Sequence, residues 1–296
     1  MKNSEFGTFH PIVNFIYFAI VIFISMFSMN PIYLGLTYIA AFIFSVLLKG
    51  VRAIKFNLGF TIPVILIMTI INTLSTHNGA TVFFYLNNNA ITKEALLYGI
   101  ASSIMLSSII IWFSCYNEIL TSDKLIYLFG RIVPVVALTI SMSLRFIPLL
   151  KNRFREINQG QKCMGRDISS GSIIFRIRLL LKEISILIAW SLEESIETSN
   201  SMEARGYGIK GRTSFHLYYF EKRDLINLMI IILFGTLSIY GCMIGINDIY
   251  YYPIIIFPKM NLTSIVLIVA YLVLLIIPIV IEVKGDRKWK KYNLKM

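Results

Sequence analysis

Little in this chain is equipped for covalent chemistry. Only three of its 296 residues are cysteine and three histidine. Cys115, Cys163 and Cys242 lie far apart with no Cys-x-x-Cys spacing, which removes a disulfide framework and a thiolate metal site from the expectations. His10, His77 and His216 are equally scattered, so a histidine-based metal centre is not expected. No Gly-x4-Gly-Lys-Ser/Thr phosphate loop, His-Glu-x2-His pair or Gly-x-Ser-x-Gly elbow occurs, so the chain is expected to have no ATPase or hydrolase centre of its own and no cofactor. Acidic residues are scarce, 16 against 28 Lys and Arg, and none pairs inside an apolar run. A proton- or sodium-coupled carrier would lack its usual carboxylate relay, although backbone carbonyls can still bind sodium.

Apolar side chains are abundant. They make up 56% of the chain, with a mean hydropathy of +0.72. A soluble domain is about 45–50% apolar, so the excess has to face something other than water. Uncharged runs lie near 11–29, 31–48, 58–75, 95–114, 225–246 and 262–281, each about the ~20 residues a helix needs to cross a ~30 Å hydrocarbon layer. The expected class is all-α: a polytopic membrane protein with six crossings, embedded in a lipid bilayer. The first run follows Met1–His10, has no small-residue cleavage site and leads almost directly into the second, so it reads as a membrane run rather than a leader.

The net charge of +12 invites a nucleic-acid reading, but its distribution argues against one. Thirteen Lys and Arg lie between Lys151 and Arg223, six between Lys284 and Lys295, and three in an expected loop Lys49–Lys55. The segments 76–94 and 247–261 hold one basic and one acidic residue each. The positive-inside tendency places the basic regions, and both termini, in the cytoplasm. Hairpins then pair the runs two by two, the first broken at Asn30-Pro31, where proline removes a donor and disfavours a helical predecessor.

One further apolar run, Ile132–Leu150, upsets this parity. Pro134 and Pro148 bracket it and Arg145 lies inside it, so it reads as re-entrant or steeply tilted and shielded by protein, with a true crossing as the alternative. Arg145 is a functional candidate by its position, or else an interfacial arginine that snorkels or caps carbonyls. The chain thus divides into 1–118, two membrane hairpins; 119–150, the tilted segment; 151–223, a cytoplasmic helical region; and 224–296, the last hairpin and a basic tail.

Within 151–223, Ile173, Ile177, Leu180, Leu181, Ile184, Ile188 and Leu192 fall on one helical stripe, with Arg176, Glu183, Glu194, Glu197 and Arg205 opposite. Ser191, Ser195 and Ser199 continue the stripe with small side chains, which allow close helix approach. The helix is expected to stop where Gly206, Gly208 and Gly211 follow in quick succession, leaving Arg205 at its tip. An earlier segment ends similarly at Gly165-Arg166-Asp167, before the break Ser169–Ser172. Two helices each ending with an arginine beside a glycine suggest paired contact points. Gly165 is expected to weaken its helix by about 1 kcal/mol relative to alanine, and Asp167 to pair with Arg166.

The ordered set SMEARGYGIKGRT at 201–213, SLRFIPLL at 143–150, GQKCMGRD at 160–167, WFSCYNEILTSDKLIYLFGRIVP at 112–134 and FHPIVNFIYF at 9–18 resembles the transmembrane T component of energy-coupling factor (ECF) transporters, the bacterial ABC-type importers of vitamins and metals. The resemblance implies a non-catalytic subunit of the plasma membrane. Its implied partners are two cytoplasmic ABC-type ATPases, which bind the ATP, and a small membrane substrate-binding S component. It also implies that two short arginine motifs dock one on each ATPase. Ala204-Arg205-Gly206 matches one motif directly. Gly165-Arg166-Asp167 stands in the other's place but carries Gly where Ala is usual and Asp where a small residue is usual. The resemblance further implies that the Ile173–Leu192 stripe meets the S component; from the residues alone it equally suits packing on the chain's own spans. A T component dedicated to one substrate module is an alternative, and a membrane-embedded enzyme using Arg145 is the rival from another class.

Overall fold

The computed structural model describes residues 4–86, 89–130, 133–167, 172–209, 218–258 and 261–293. Gly211, His216 and most of the Ser169–Ser172 break therefore lie outside the described residues. Helices dominate: α1 (Pro11–Phe27), α2 (Pro31–Lys49), α3 (Val51–Ser75), α4 (Lys93–Ile119), α5 (Ser122–Gly130), α6 (Pro134–Cys163), α7 (Ile173–Ala204), α8 (Lys222–Ile244) and α9 (Leu262–Asn293). The protein is an all-α polytopic membrane protein. Among the described residues the one small sheet is an antiparallel pair, β1 (Val82–Leu86) with β2 (Asn89–Thr92), within the expected 76–94 connection.

Among the described residues, six helices are long and apolar enough to cross a membrane: α2, α3, α4, α6, α8 and α9. The number agrees with the expectation but the membership differs. Helix α1, with 17 residues, is shorter than the others, whereas α6 continues through Pro148 for 30 residues. The boundary expected at residue 150 falls inside α6, so the apolar run and the basic segment after it are one element. The expected loop Lys49–Lys55 is corrected: only Gly50, at φ +67°, separates α2 from α3, and Arg52 and Lys55 lie in the first turns of α3.

The chain folds as two compact units, one of residues 1–125 with 218–296 and one of residues 126–217. In the first, the helix starts follow local chemistry. Asn30 caps α2, its Oδ1 accepting from the Ile32 amide at 2.9 Å while Pro31 occupies the first turn; Thr92 caps α4 through Ala95. Both satisfy amides that a helix leaves bare. An aromatic knot of Phe6, Tyr17, Phe18, Phe44 and Trp112, all fully buried, joins α1, α2 and α4. Near the α2 start, Tyr271 of α9 meets the Thr37 hydroxyl at 2.6 Å and stacks on Tyr33, whose hydroxyl accepts from Asn247.

Helices α3 and α4 pack closely because Gly99, Ser103 and Ser107 recur every four residues on α4 and present little bulk. A Cβ at Gly99 would lie 3.1 Å from the Thr69 Cα and 3.3 Å from its carbonyl oxygen. Backbone cannot step aside as a side chain can. Gly99→Leu is therefore expected to destabilise the protein by about 1–3 kcal/mol, visible as a lower thermal midpoint in detergent; an unchanged midpoint would contradict this packing.

Candidate functional site

The second unit is built on α6 and α7. Its face-to-face residues are not those the hydrophobic pattern nominated. On α7, Leu179 and Glu183 are buried, and Trp190 receives the Arg153 guanidinium over its ring at 4.9 Å. The apolar stripe remains outside: Ile173 is 73% and Leu192 62% exposed. Glu183, expected on the open side, instead faces α6. The pattern found the stripe correctly, but the helix packs on α6 through a mixed face and leaves its greasiest face free.

Two contacts fix the hairpin's sense. Arg153 lies level with Trp190, and Lys162 lies near enough to Glu183 to influence its ionisation. Numbers rise along α6 as they fall along α7, so the two helices are antiparallel. Arg166 lies thirteen residues beyond the level of Arg153, and Arg205 fifteen beyond Trp190, in opposite senses. At 1.5 Å per residue the two tips stand on the order of 40 Å apart along the hairpin. They form two sites, not one.

Each tip is closed by the same hydrogen-bonded cap. At the end of α7, the Gly206 amide donates to Glu203 O at 2.9 Å and the Tyr207 amide to Met202 O at 3.0 Å, with Gly206 at φ +74°. At the end of α6, the Gly165 amide donates to Lys162 O at 2.9 Å and the Arg166 amide to Gln161 O at 3.0 Å, with Gly165 at φ +75°. This is the Schellman arrangement, in which a left-handed residue lets the chain double back and satisfy the last carbonyls. Its two register positions place the arginines differently. Arg205 is the last capping residue before the left-handed glycine, whereas Arg166 follows its glycine and donates its own amide to the cap. Both side chains are exposed. The order Arg-Gly against Gly-Arg in the sequence already carried this difference.

Two expectations about the first tip are corrected. Gly165 does not weaken the last turn of α6, because it lies past it in a left-handed conformation that alanine adopts at a cost. Asp167 pairs with Lys162, Nζ to Oδ1 3.5 Å, rather than with Arg166. Ala204 is the last helical residue of α7, as the tip requires. Arg145 lies exposed on α6 and forms no ion pair among the described residues. Pro148 lies three residues further along the same helix and leaves the Leu144 carbonyl without its helical donor.

Glu183 adds an electrostatic feature. Burial raises its pKa above the usual carboxylate value, against the smaller opposing pull of Lys162, and neither carboxylate oxygen has a hydrogen-bond partner among the described residues. A raised pKa means that the folded state holds the proton longer than the unfolded state. The penalty is absent well below the unfolded value of 4.5 and grows as pH rises through the folded pKa. Glu183→Gln is expected to raise the thermal midpoint at pH 7–8 and to give no gain at acid pH; a gain independent of pH would count against this assignment. Gly206→Ala is expected to cost about 1–2 kcal/mol at the cap, since its Cβ would also lie 3.0 Å from Ile209 Cδ1. Hydrogen exchange in the last turn of α7 would report it as faster exchange at Gly206 and Tyr207.

Comparison with known proteins gives these tips a context. The profile of the CbiQ family, described as cobalt transport protein, matches residues 7–216 and so includes both tips. The energy-coupling factor transporter transmembrane protein EcfT of Lactobacillus helveticus is 39% identical over 112 residues, 36% of this chain and 40% of that protein. The EcfT protein of Listeria innocua is 31% identical over 212 residues, 70% of this chain and 75% of its own length. EcfT 1 of Listeria monocytogenes is 28% identical over 199 residues, 64% and 72% respectively. With α1 to α7 inside the matched span, the chain belongs to the cobalt transport protein family.

Proposed function

We propose that the chain is the transmembrane coupling subunit of an ECF importer, a multi-pass protein of the bacterial plasma membrane with both termini cytoplasmic. Its partners are two cytoplasmic ATPases, which bind and hydrolyse the ATP, and a membrane S component that binds a vitamin or metal. The relatives' names support the transport role. The observation that carries the coupling role is the hairpin itself: two glycine-capped arginines, both exposed, on the order of 40 Å apart along an antiparallel helix pair. One such hairpin reaches two separate grooves at once.

An arginine at a helix tip presents a rigid fork of five donors, suited to a carboxylate in a partner's groove. The following left-handed glycine keeps the backbone slim beside Arg205. Arg166 is followed instead by Asp167, whose side chain a groove has to accommodate where Gly206 offers none, so Arg205 is the stronger anchor. The exposed Ile173–Leu192 stripe is the surface offered to the S component, and movement of the ATPases reaches that partner through the hairpin.

The test is co-purification from membranes with the organism's ECF ATPase pair. Wild type is expected to capture the pair stoichiometrically. Arg205→Glu should weaken capture by about 2–5 kcal/mol, the range for breaking a buried charged contact. Arg166→Glu should weaken it less, and the double variant should abolish it. A folded, monodisperse wild type that captures neither ATPase, or a double variant that captures both, would overturn the proposal.

A further inference from the structure

The second unit is joined to the membrane helices through two stretches of chain, which we call its roots: Thr121–Leu125 on the way out and Tyr218–Asp224 on the way back. Both roots belong to the first unit, and both are gripped by the same short segment, Ser4–His10, which precedes α1. That segment makes a single 3-10 turn, Phe6–Thr8.

On the outgoing root, the Lys124 Nζ donates to the Gly7 carbonyl at 2.6 Å and to the Ile119 carbonyl at 2.8 Å. On the returning root, the Arg223 guanidinium lies 5.1 Å above the Phe9 ring and Phe220 meets the His10 ring edge-on at 5.1 Å. Arg223 is itself held by Glu221 at 2.8 Å, within the capping box that starts α8. The turn is in turn bolted to α9. Glu282, only 1% exposed, accepts from the Ser4 hydroxyl at 3.0 Å and from the Phe6 amide at 3.1 Å. Any side chain at Gly285 would collide with Glu5. Phe6 is inserted into the aromatic knot.

This is more than core packing. A buried carboxylate and a half-buried ammonium are expensive to desolvate unless hydrogen bonds compensate them, and both are hydrogen-bonded here. Here each links elements far apart in sequence. Burial also lowers the Lys124 pKa, as befits an ammonium withdrawn from water. Three of the gripping partners, Phe220, Arg223 and Glu282, lie beyond residues 7–216 that the family profile covers.

We propose that Ser4–His10 is a clamp that holds the two roots of the α6–α7 unit together on α9, with Lys124 and Arg223 as its positioning residues. While the clamp is closed the roots cannot separate or slide independently, so a push on the hairpin moves the membrane helices instead of being absorbed in slack chain. This last step rests on the coupling role proposed above; the tie between the roots does not.

The experiment has two arms. In the first, the chain alone is followed by hydrogen exchange in lipid nanodiscs. Lys124→Met removes one grip and Arg223→Gln the other. Lys124→Met is expected to speed exchange by about tenfold at both roots, the loss expected for one hydrogen bond to a charged group, and Arg223→Gln by about threefold, as for a cation–π contact, with Lys124→Arg restoring protection. Gly99→Leu serves as a control that destabilises the fold without loosening the roots together. Loosening confined to the mutated root would overturn the clamp. In the second arm, the chain bound to the ATPase pair is compared with and without ATP and vanadate. Wild type is expected to show a nucleotide-dependent change in exchange across α2 to α4, and Lys124→Met with Arg223→Gln to keep capture of the pair but lose that change. A change as large as in wild type would overturn the positioning role. Failure of wild type to capture the ATPases would instead strike the coupling proposal, and the clamp would still stand or fall on the exchange at its two roots.

Discussion

A backbone amide or carbonyl left bare in hydrocarbon costs several kcal/mol, so a chain this apolar has to be helical almost wherever it meets lipid. The rest of the structure follows from where that rule is suspended, at the helix ends. Each end has to supply local hydrogen bonds of its own. Asn30 does so with its side chain, Thr92 likewise, and Glu221 with Asp224 through a capping box. Gly165 and Gly206 do so by taking a left-handed conformation. The residues with chemical character gather at these ends because the helix interiors have little use for them.

The same rule suits the coupling role proposed above. Long helices transmit displacement with little loss, since bending one breaks hydrogen bonds along its length. What matters is then how rigidly each helix is held at its two ends. The C-terminal ends of α6 and α7 carry exposed arginines on tightly closed caps. The chain entering and leaving the pair passes through roots that a half-buried lysine and a stacked arginine bind to the N-terminal turn. Between the caps, α6 and α7 touch through a mixed face containing Leu179, Glu183 and Trp190, and the apolar stripe is left for other surfaces.

That mixed face is not an oversight of the fold. Had α7 turned its isoleucine stripe onto α6, the hairpin would have been a stable two-helix core with polar outer walls and nothing to offer an apolar neighbour. Placing Glu183 inward makes the pair weaker on its own, because burial disfavours the charged carboxylate. It frees a continuous greasy face from Ile173 to Leu192. That exposed face is the one proposed above to meet a membrane partner.

The sequence by itself determined the class, the approximate places of the apolar runs and the two glycine-capped helix ends. Apolar run length reports what lipid demands, and a glycine after a helical stripe reports a local conformation that needs no distant partner. It also carried, in Arg205-Gly206 against Gly165-Arg166, the difference between the two caps. Only the tertiary structure decided which face of α7 packs, since periodicity defines a stripe but not the neighbour that covers it. Only it showed that the apolar run ending at Leu150 continues unbroken into the basic segment, because a proline such as Pro148 bends or spares a helix according to its surroundings. The same holds for the N-terminal turn. Gly7, Phe9, Lys124, Arg223 and Glu282 are ordinary residues where they stand in the chain. Their meeting depends on contacts spanning more than a hundred residues, which no local pattern encodes.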